Sequence, residues 1–148
     1  MKDIHSGGVY VPKYTPLSAG GAYYSEPIPA EVAPGQSLRF NRCGDLLNTL
    51  FESDGLTVTQ PGLYVINFSA ALSGTSVRVT LTANGSEVGT FADSRVNASF
   101  VKRLTPSTKI SAVNSASNDL TEINAYLTVA QASEYYVSGF EYSPDLPA

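Results

Sequence analysis

From Ser37 onward, apolar residues recur at every second position, which is the period of a strand with one face against a core. Between Ser76 and Val88, Val77, Val79, Leu81 and Ala83 alternate with Arg78, Thr80 and Thr82, and the run ends at Asn84-Gly85. That dipeptide tolerates the positive φ needed at both central positions of a type I′ turn, so a hairpin is predicted there. Upstream, Leu56 and Val58 predict a short strand that stops at Pro61-Gly62. Tyr64, Ile66, Phe68, Ala70 and Leu72 then share one face of a longer strand, and Leu63 and Val65 make its other face apolar at the start. A strand covered on both sides belongs in the middle of a sheet. Further strands are expected over 98–104, 109–114 and 122–130, the last with Ile123, Ala125, Leu127 and Val129 inward and Asn124, Tyr126 and Thr128 outward. Only Gly44 to Ser53, with Leu46, Leu47 and Leu50, has a helix-like spacing, and one or two helical turns inside a connection are expected there. Short strands with turn signals roughly every 8 to 12 residues, without βαβ alternation or an internal repeat, predict an all-β antiparallel sandwich or jelly roll.

The first 33 residues break this pattern. Residues 1 to 34 hold Pro12, Pro16, Pro27, Pro29 and Pro34, with Gly7-Gly8 and Gly20-Gly21 between them. Proline removes backbone donors and fixes φ, so regular structure is not expected in this stretch. Its tyrosines, with Val9, Val11 and Ile28, make it too apolar for a solvated linker. The expected organisation is an extended arm over 1–33 and a folded domain over 34–148. An arm docked on another molecule would use Tyr10, Tyr14, Tyr23 and Tyr24 as anchors, since Tyr gives large contact area at low entropic cost. The alternative is an arm that wraps its own domain.

Charge narrows the partners. The chain has 148 residues, enough for one domain, a net charge of -4, and only 15% charged residues. The average soluble domain has roughly 25%. No basic run is present to neutralise phosphates, so nucleic acid is not expected as a partner. No segment approaches a membrane span, and the start, MKDIHSGGVYVPKYTP, lacks the apolar stretch of a secretory signal. An extracellular-looking composition without such a signal points to virions or spore coats, assembled inside a cell and released by lysis. Cys43 is the only cysteine, which excludes an intrachain disulfide, and it reads as a partly buried small hydrophobe.

Catalytic chemistry has little to build on. The single histidine, His5, falls in the arm, so no Ser-His-acid or Cys-His set can be assembled on the strands. Zinc needs three or four His or Cys ligands, more than the chain contains, and no phosphate-cradling glycine loop occurs. No EF-hand-like spacing supports calcium at Asp93 or Asp119. Glu52, Asp54, Glu87, Asp93, Asp119 and Glu122 could pair in space as a glycosidase would require, but turn-forming and solvated roles account for them more simply. Asn67, Asn84 and Asn97 open glycosylation-type tripeptides, which need an export route to matter. No catalytic residue, metal or cofactor is assigned.

The segment DGLTVTQPGLYVINFSAAL (Asp54–Leu72), followed by SVRVTLTANGSEVG (Ser76–Gly89), resembles the centre of the tumour necrosis factor and complement globular-head superfamily, including its bacterial spore-surface and phage-fibre members. The most specific part is Pro61-Gly62-Leu63-Tyr64 with Asn84-Gly85 at the right separation, and the likeness covers roughly residues 37 to 130. SGFEYSP (Ser138–Pro144) is similar to the last strand of the eukaryotic heads, with Glu141 in place of an apolar residue, so either 122–130 or 135–142 is the closing strand. The resemblance implies a jelly roll assembled as a homotrimer, with Tyr64, Ile66, Phe68 and Leu127 in core or trimer packing. The collagen-like stem of many members is replaced here by the Tyr/Pro/Gly arm. The function expected is that of a structural virion protein, a trimeric capsid decoration or head-fibre protein whose arm grips the major capsid protein or a similar lattice. The alternative is a trimeric head that binds a receptor or host-surface glycans on a phage fibre, spore or cell surface. A jelly-roll glycan hydrolase is the third and weakest reading.

Overall fold

The computed structural model describes residues 9–15, 18–132 and 136–143. Twelve strands are present: β1 (Val9–Thr15), β2 (Ala19–Val32), β3 (Arg42–Cys43), β4 (Thr49–Glu52), β5 (Gly55–Val58), β6 (Gly62–Ser73), β7 (Val79–Ala83), β8 (Ser86–Phe91), β9 (Arg95–Leu104), β10 (Thr108–Asn114), β11 (Leu120–Gln131) and β12 (Tyr136–Ser143). They form a five-stranded sheet in the order β3-β2-β11-β6-β9, a second in the order β4-β5-β10-β7-β8, and a two-stranded ribbon of β1 with β12. All pairings are antiparallel. The chain is an all-β jelly-roll sandwich.

The period-two pattern sets the core. Tyr64, Ile66, Phe68, Ala70 and Leu72 of β6 all face inward, against Val79 and Leu81 of β7 and Ile110 and Ala112 of β10. Phe91 bridges Phe68 and Phe100, with ring centroids 6.3 and 6.0 Å away. The Tyr64 ring is fully buried, and its hydroxyl donates to the Gln60 carbonyl at 2.7 Å, which satisfies the one polar atom it carries inward. Asn84 and Gly85 have φ of 48° and 83°, as the type I′ hairpin between β7 and β8 requires. β6 is an inner strand, and Leu63 and Val65 are half-buried on its outer side.

Four expectations need correction. Residues 19–32 form a strand in the sandwich, although they carry two prolines. β2 pairs with β11 from Ala19 to Ser25 and again from Ala30 to Val32, and Pro27 and Pro29 fall in the intervening stretch, where no ladder hydrogen bond is required of them. The segment from Gly44 to Ser53 is not helical. It runs through a bridge at Leu47 into β4, which leaves Leu46, Leu47 and Leu50 exposed. Cys43 is exposed on the two-residue edge strand β3. Ile123 is 43% exposed, because the register of β11 shifts between Glu122 and Asn124 against both neighbours. That bulge reverses which parity points inward, so Glu122 takes the buried position and Ala125, Leu127 and Val129 follow it.

The connection from β2 to β3 crosses between the two sheets. Ser37 bridges Val113, and Leu38 N–H donates to the Ala112 carbonyl at 2.7 Å. Phe40 N–H then donates to the Ser53 carbonyl at 2.7 Å, and Asn41 N–H to the Tyr23 carbonyl at 3.1 Å. Within the four residues from Leu38 to Asn41 the backbone has bonded to β10, to the β4–β5 turn and to β2.

Candidate functional site

Two surfaces of the sandwich stand out. The first is the outer side of the β3-β2-β11-β6-β9 sheet. Pairing places Tyr23 beside Tyr126 and Ser69 in one row, and Ala130, Val65 and Val101 in another. The Tyr23 and Tyr126 rings stack at 6.1 Å with 19° between their planes. Tyr126 is 46% exposed and Val101 65%. Between these rows lie Asn67, Thr128 and Ser99, with the Asn67 amide donating to the Thr128 hydroxyl at 3.3 Å. The middle of this face is uncharged, and its large side chains have no cover within the described residues.

The second is a cavity of about 760 Å³ where the crossing connection passes between Tyr24 of β2 and the β4–β5 turn. Tyr24, Phe40 and Phe51 give it aromatic walls, and Arg39 and Asp54 line it as well. Behind the connection lies Glu122, fully buried. One of its carboxyl oxygens accepts the Arg39 backbone N–H at 2.8 Å, and the other has no hydrogen-bond partner. Burial pushes the Glu122 carboxyl up to about 7, against the pull of the Arg39 N–H and guanidinium. The same burial and the nearby Glu122 carboxylate raise the Tyr24 hydroxyl. Asp54 is already engaged: Lys109 bridges it at 2.6 Å and Glu52 at 3.4 Å, and that contact holds Lys109 above its ordinary value.

The attachment candidates separate. Tyr10 and Tyr14 belong to β1, in register with Tyr142 and Val137 of β12, and the anchoring expected of their side chains falls outside the described residues. Tyr23 lies on the outer face of the sheet. Tyr24 is only 6% exposed and packs in the core, so it cannot serve as a surface anchor. Tyr64, Ile66, Phe68 and Leu127 are fully buried within one chain, which makes them core residues.

Among the described residues no group of three or more His, Cys, Asp or Glu could hold a metal ion. Of the carboxylates that could have met in space, Glu52 and Asp54 do so only around Lys109, and Glu122 is sealed in the interior. Sequence reasoning named Glu122 only as one of six carboxylates and Tyr126 only as an outward strand position, and it passed over Arg39. A carboxylate beside an apolar alternation marked the first, but only the bulge shows that it turns inward.

No family model matches the chain, and no curated protein matches it in sequence. Solved structures are similar to it in fold. The globular domain of zebrafish complement 1qA protein superposes with a TM-score of 0.59 at 17% identity, over 78% of this chain and 98% of that one. Rabbit GITRL does so at 0.56 and 14%, over 78% and 94%. Eiger TNF from S. frugiperda gives 0.56 at 9%, over 86% and 99%. The chain therefore has the tumour necrosis factor and complement-head jelly-roll fold.

Proposed function

We propose that the chain is a non-catalytic head domain that assembles as a homotrimer through the outer face of the β3-β2-β11-β6-β9 sheet and acts by binding at a particle or cell surface. The observation that carries this is the uncovered Tyr23–Tyr126 stack beside the Val65–Val101–Ala130 row. The middle of this face carries aromatic and aliphatic groups with Ser, Thr and Asn, and Arg42, Arg95 and Arg103 stand at its edge strands, so the centre buries without stranding an ion while the charges stay at the rim. Three copies is the number implied by the sequence resemblance. Sedimentation or light scattering of the purified chain tests it. The native chain is expected to be a trimer at micromolar concentration. Tyr126→Glu and Val101→Glu are expected to give folded monomers with unchanged β-sheet circular dichroism. A native monomer, or variants that stay trimeric, would rule the face out.

We further propose that the chain decorates a virion or comparable lattice, with the β1–β12 ribbon as its attachment element. Among the described residues, β1 and β12 pair only with each other, outside both five-stranded sheets. A two-stranded ribbon is marginal in water by itself and gains from docking on a lattice. The attachment element is then the ribbon, built from both segments, rather than an arm over 1–33. Removing residues 1–17 and 133–148 is expected to leave the assembled head intact and to abolish its binding to a capsid or comparable surface lattice. Full occupancy by the truncated head would place the contact on the sandwich instead.

A further inference from the structure

We propose that the cavity between Tyr24, the crossing connection and the β4–β5 turn binds an acidic monosaccharide, with the sugar ring over the half-buried Phe51 and its carboxylate on the Arg39 guanidinium. The volume, about 760 Å³, lies in the range of small-molecule sites. Its lining combines apolar rings with groups that bond hydroxyls. Among the described residues the Gln36 side chain accepts Ala33 N–H at 3.0 Å through its carbonyl oxygen and makes no bond from its amide hydrogens, and the Ser53 hydroxyl has no partner.

Charge decides the class of sugar. The chain as a whole is acidic, with a net charge of -4, so a cation in the wall of a cavity is not part of a general basic surface. Asp54, the carboxylate that shares the cavity, is taken by Lys109 at 2.6 Å, and no carboxylate among the described residues forms an ion pair with Arg39. A ligand carboxylate would complete the guanidinium with two parallel hydrogen bonds. The Arg39 backbone is fixed beforehand, since its own N–H is held by Glu122 and its neighbours Leu38 and Phe40 are bonded to Ala112 and Ser53. The backbone is thus ordered before binding, and the freedom lost is that of the Arg39 side chain.

Glu122 ties this site to pH. The charged and titratable groups around it are Arg39 from the crossing connection and Tyr24 from β2, with Glu26 acting on Tyr24 from beyond. Ionised, Glu122 sets a negative charge behind Arg39 and opposes an incoming carboxylate; protonated, it does not. Affinity should therefore be higher on the acid side of neutrality.

Calorimetry or chemical-shift titration of the full chain with glucuronic acid and with N-acetylneuraminic acid, each beside its neutral methyl ester, tests the proposal. At least one acid is expected to bind, with its ester and the Arg39→Gln variant each weaker by about tenfold or more, while that variant keeps its assembly state and melting temperature. Phe51→Ala is expected to weaken the acid as well. Binding should decline as pH rises through neutrality in the native chain and stay level in Glu122→Gln. No titration by either acid, equal affinity for acid and ester, or an unaffected Arg39→Gln variant would overturn it. Acetate competing as well as the sugar acids would also overturn it, by reducing the site to an anion contact. None of these results bears on the assembly state, which is measured without ligand.

Discussion

A buried carboxyl with one unpaired oxygen makes folding depend on pH in a direction opposite to most acidic groups. The Glu122 carboxyl is held at about 7 in the folded chain against an ordinary value of 4.5, so the folded state binds its proton more tightly than the unfolded one. Stability is then fully present below the ordinary value and is lost as pH climbs through neutrality, levelling off above it. The difference amounts to about 3 to 4 kcal/mol, taking each pKa unit as about 1.4 kcal/mol. Glu122→Gln keeps the shape and the acceptor for Arg39 N–H, and it is expected to remove this decline. Denaturant unfolding of both chains across acidic to mildly alkaline pH checks it, and parallel profiles would mean that Glu122 is not the group responsible. Asn114 shows the satisfied counterpart. It is equally buried, yet its amide donates to the Val32 and Asn118 carbonyls at 2.9 and 3.0 Å, and its oxygen accepts Ala116 N–H at 2.9 Å.

At the scale of the strands, β6 and β11 show what alternation does and does not reveal. The inward set of β6 was legible in full, since Tyr64 to Leu72 keep one phase and every member is buried. Phe68→Ala is expected to cost about 3 to 5 kcal/mol, measured by equilibrium unfolding. In β11 the phase changes at the bulge, and alternation alone counts Ile123 with the core. Ile123→Thr is expected to shift stability by no more than about 0.5 kcal/mol, whereas Leu127→Ala should cost about 2 to 5 kcal/mol. Equal costs would mean that the bulge is absent. The hairpin at Asn84-Gly85 was legible because local turn chemistry decides it. β2 was not, because its prolines tell against a strand until the stretch opposite the bulge gives them a place without ladder bonds. The cavity was illegible for the same kind of reason: Tyr24, Arg39 and Phe51 come from three elements that only the crossing connection brings together.

For the molecule as a whole, the position of β2 puts residues 19–32 inside the sandwich. Ser18 is fully buried, its hydroxyl donating to the Asn48 carbonyl at 2.8 Å and its N–H to the Gln131 side chain at 3.1 Å. A chain starting at Ser18 is therefore expected to unfold cooperatively near the native temperature, and one starting at Pro34, which lacks β2, to lose the cooperative transition. Calorimetry of the two separates them, and a cooperative transition in the shorter chain would make β2 dispensable. The pairing of β1 with β12 has a mechanical consequence as well. Val9 lies opposite Ser143, and Thr15 lies opposite Tyr136 near where the segments rejoin β2 and β11. A load hung on the Val9–Ser143 end pulls both strands of the ribbon in the same direction, so it does not peel them apart. The tension passes instead along β2 and β11 into the sheet, where β11 is registered with β6 from Thr121 to Gln131 and could slip only by shearing that ladder together. A ribbon loaded in this way would hold with a strength set by the middle of the sandwich.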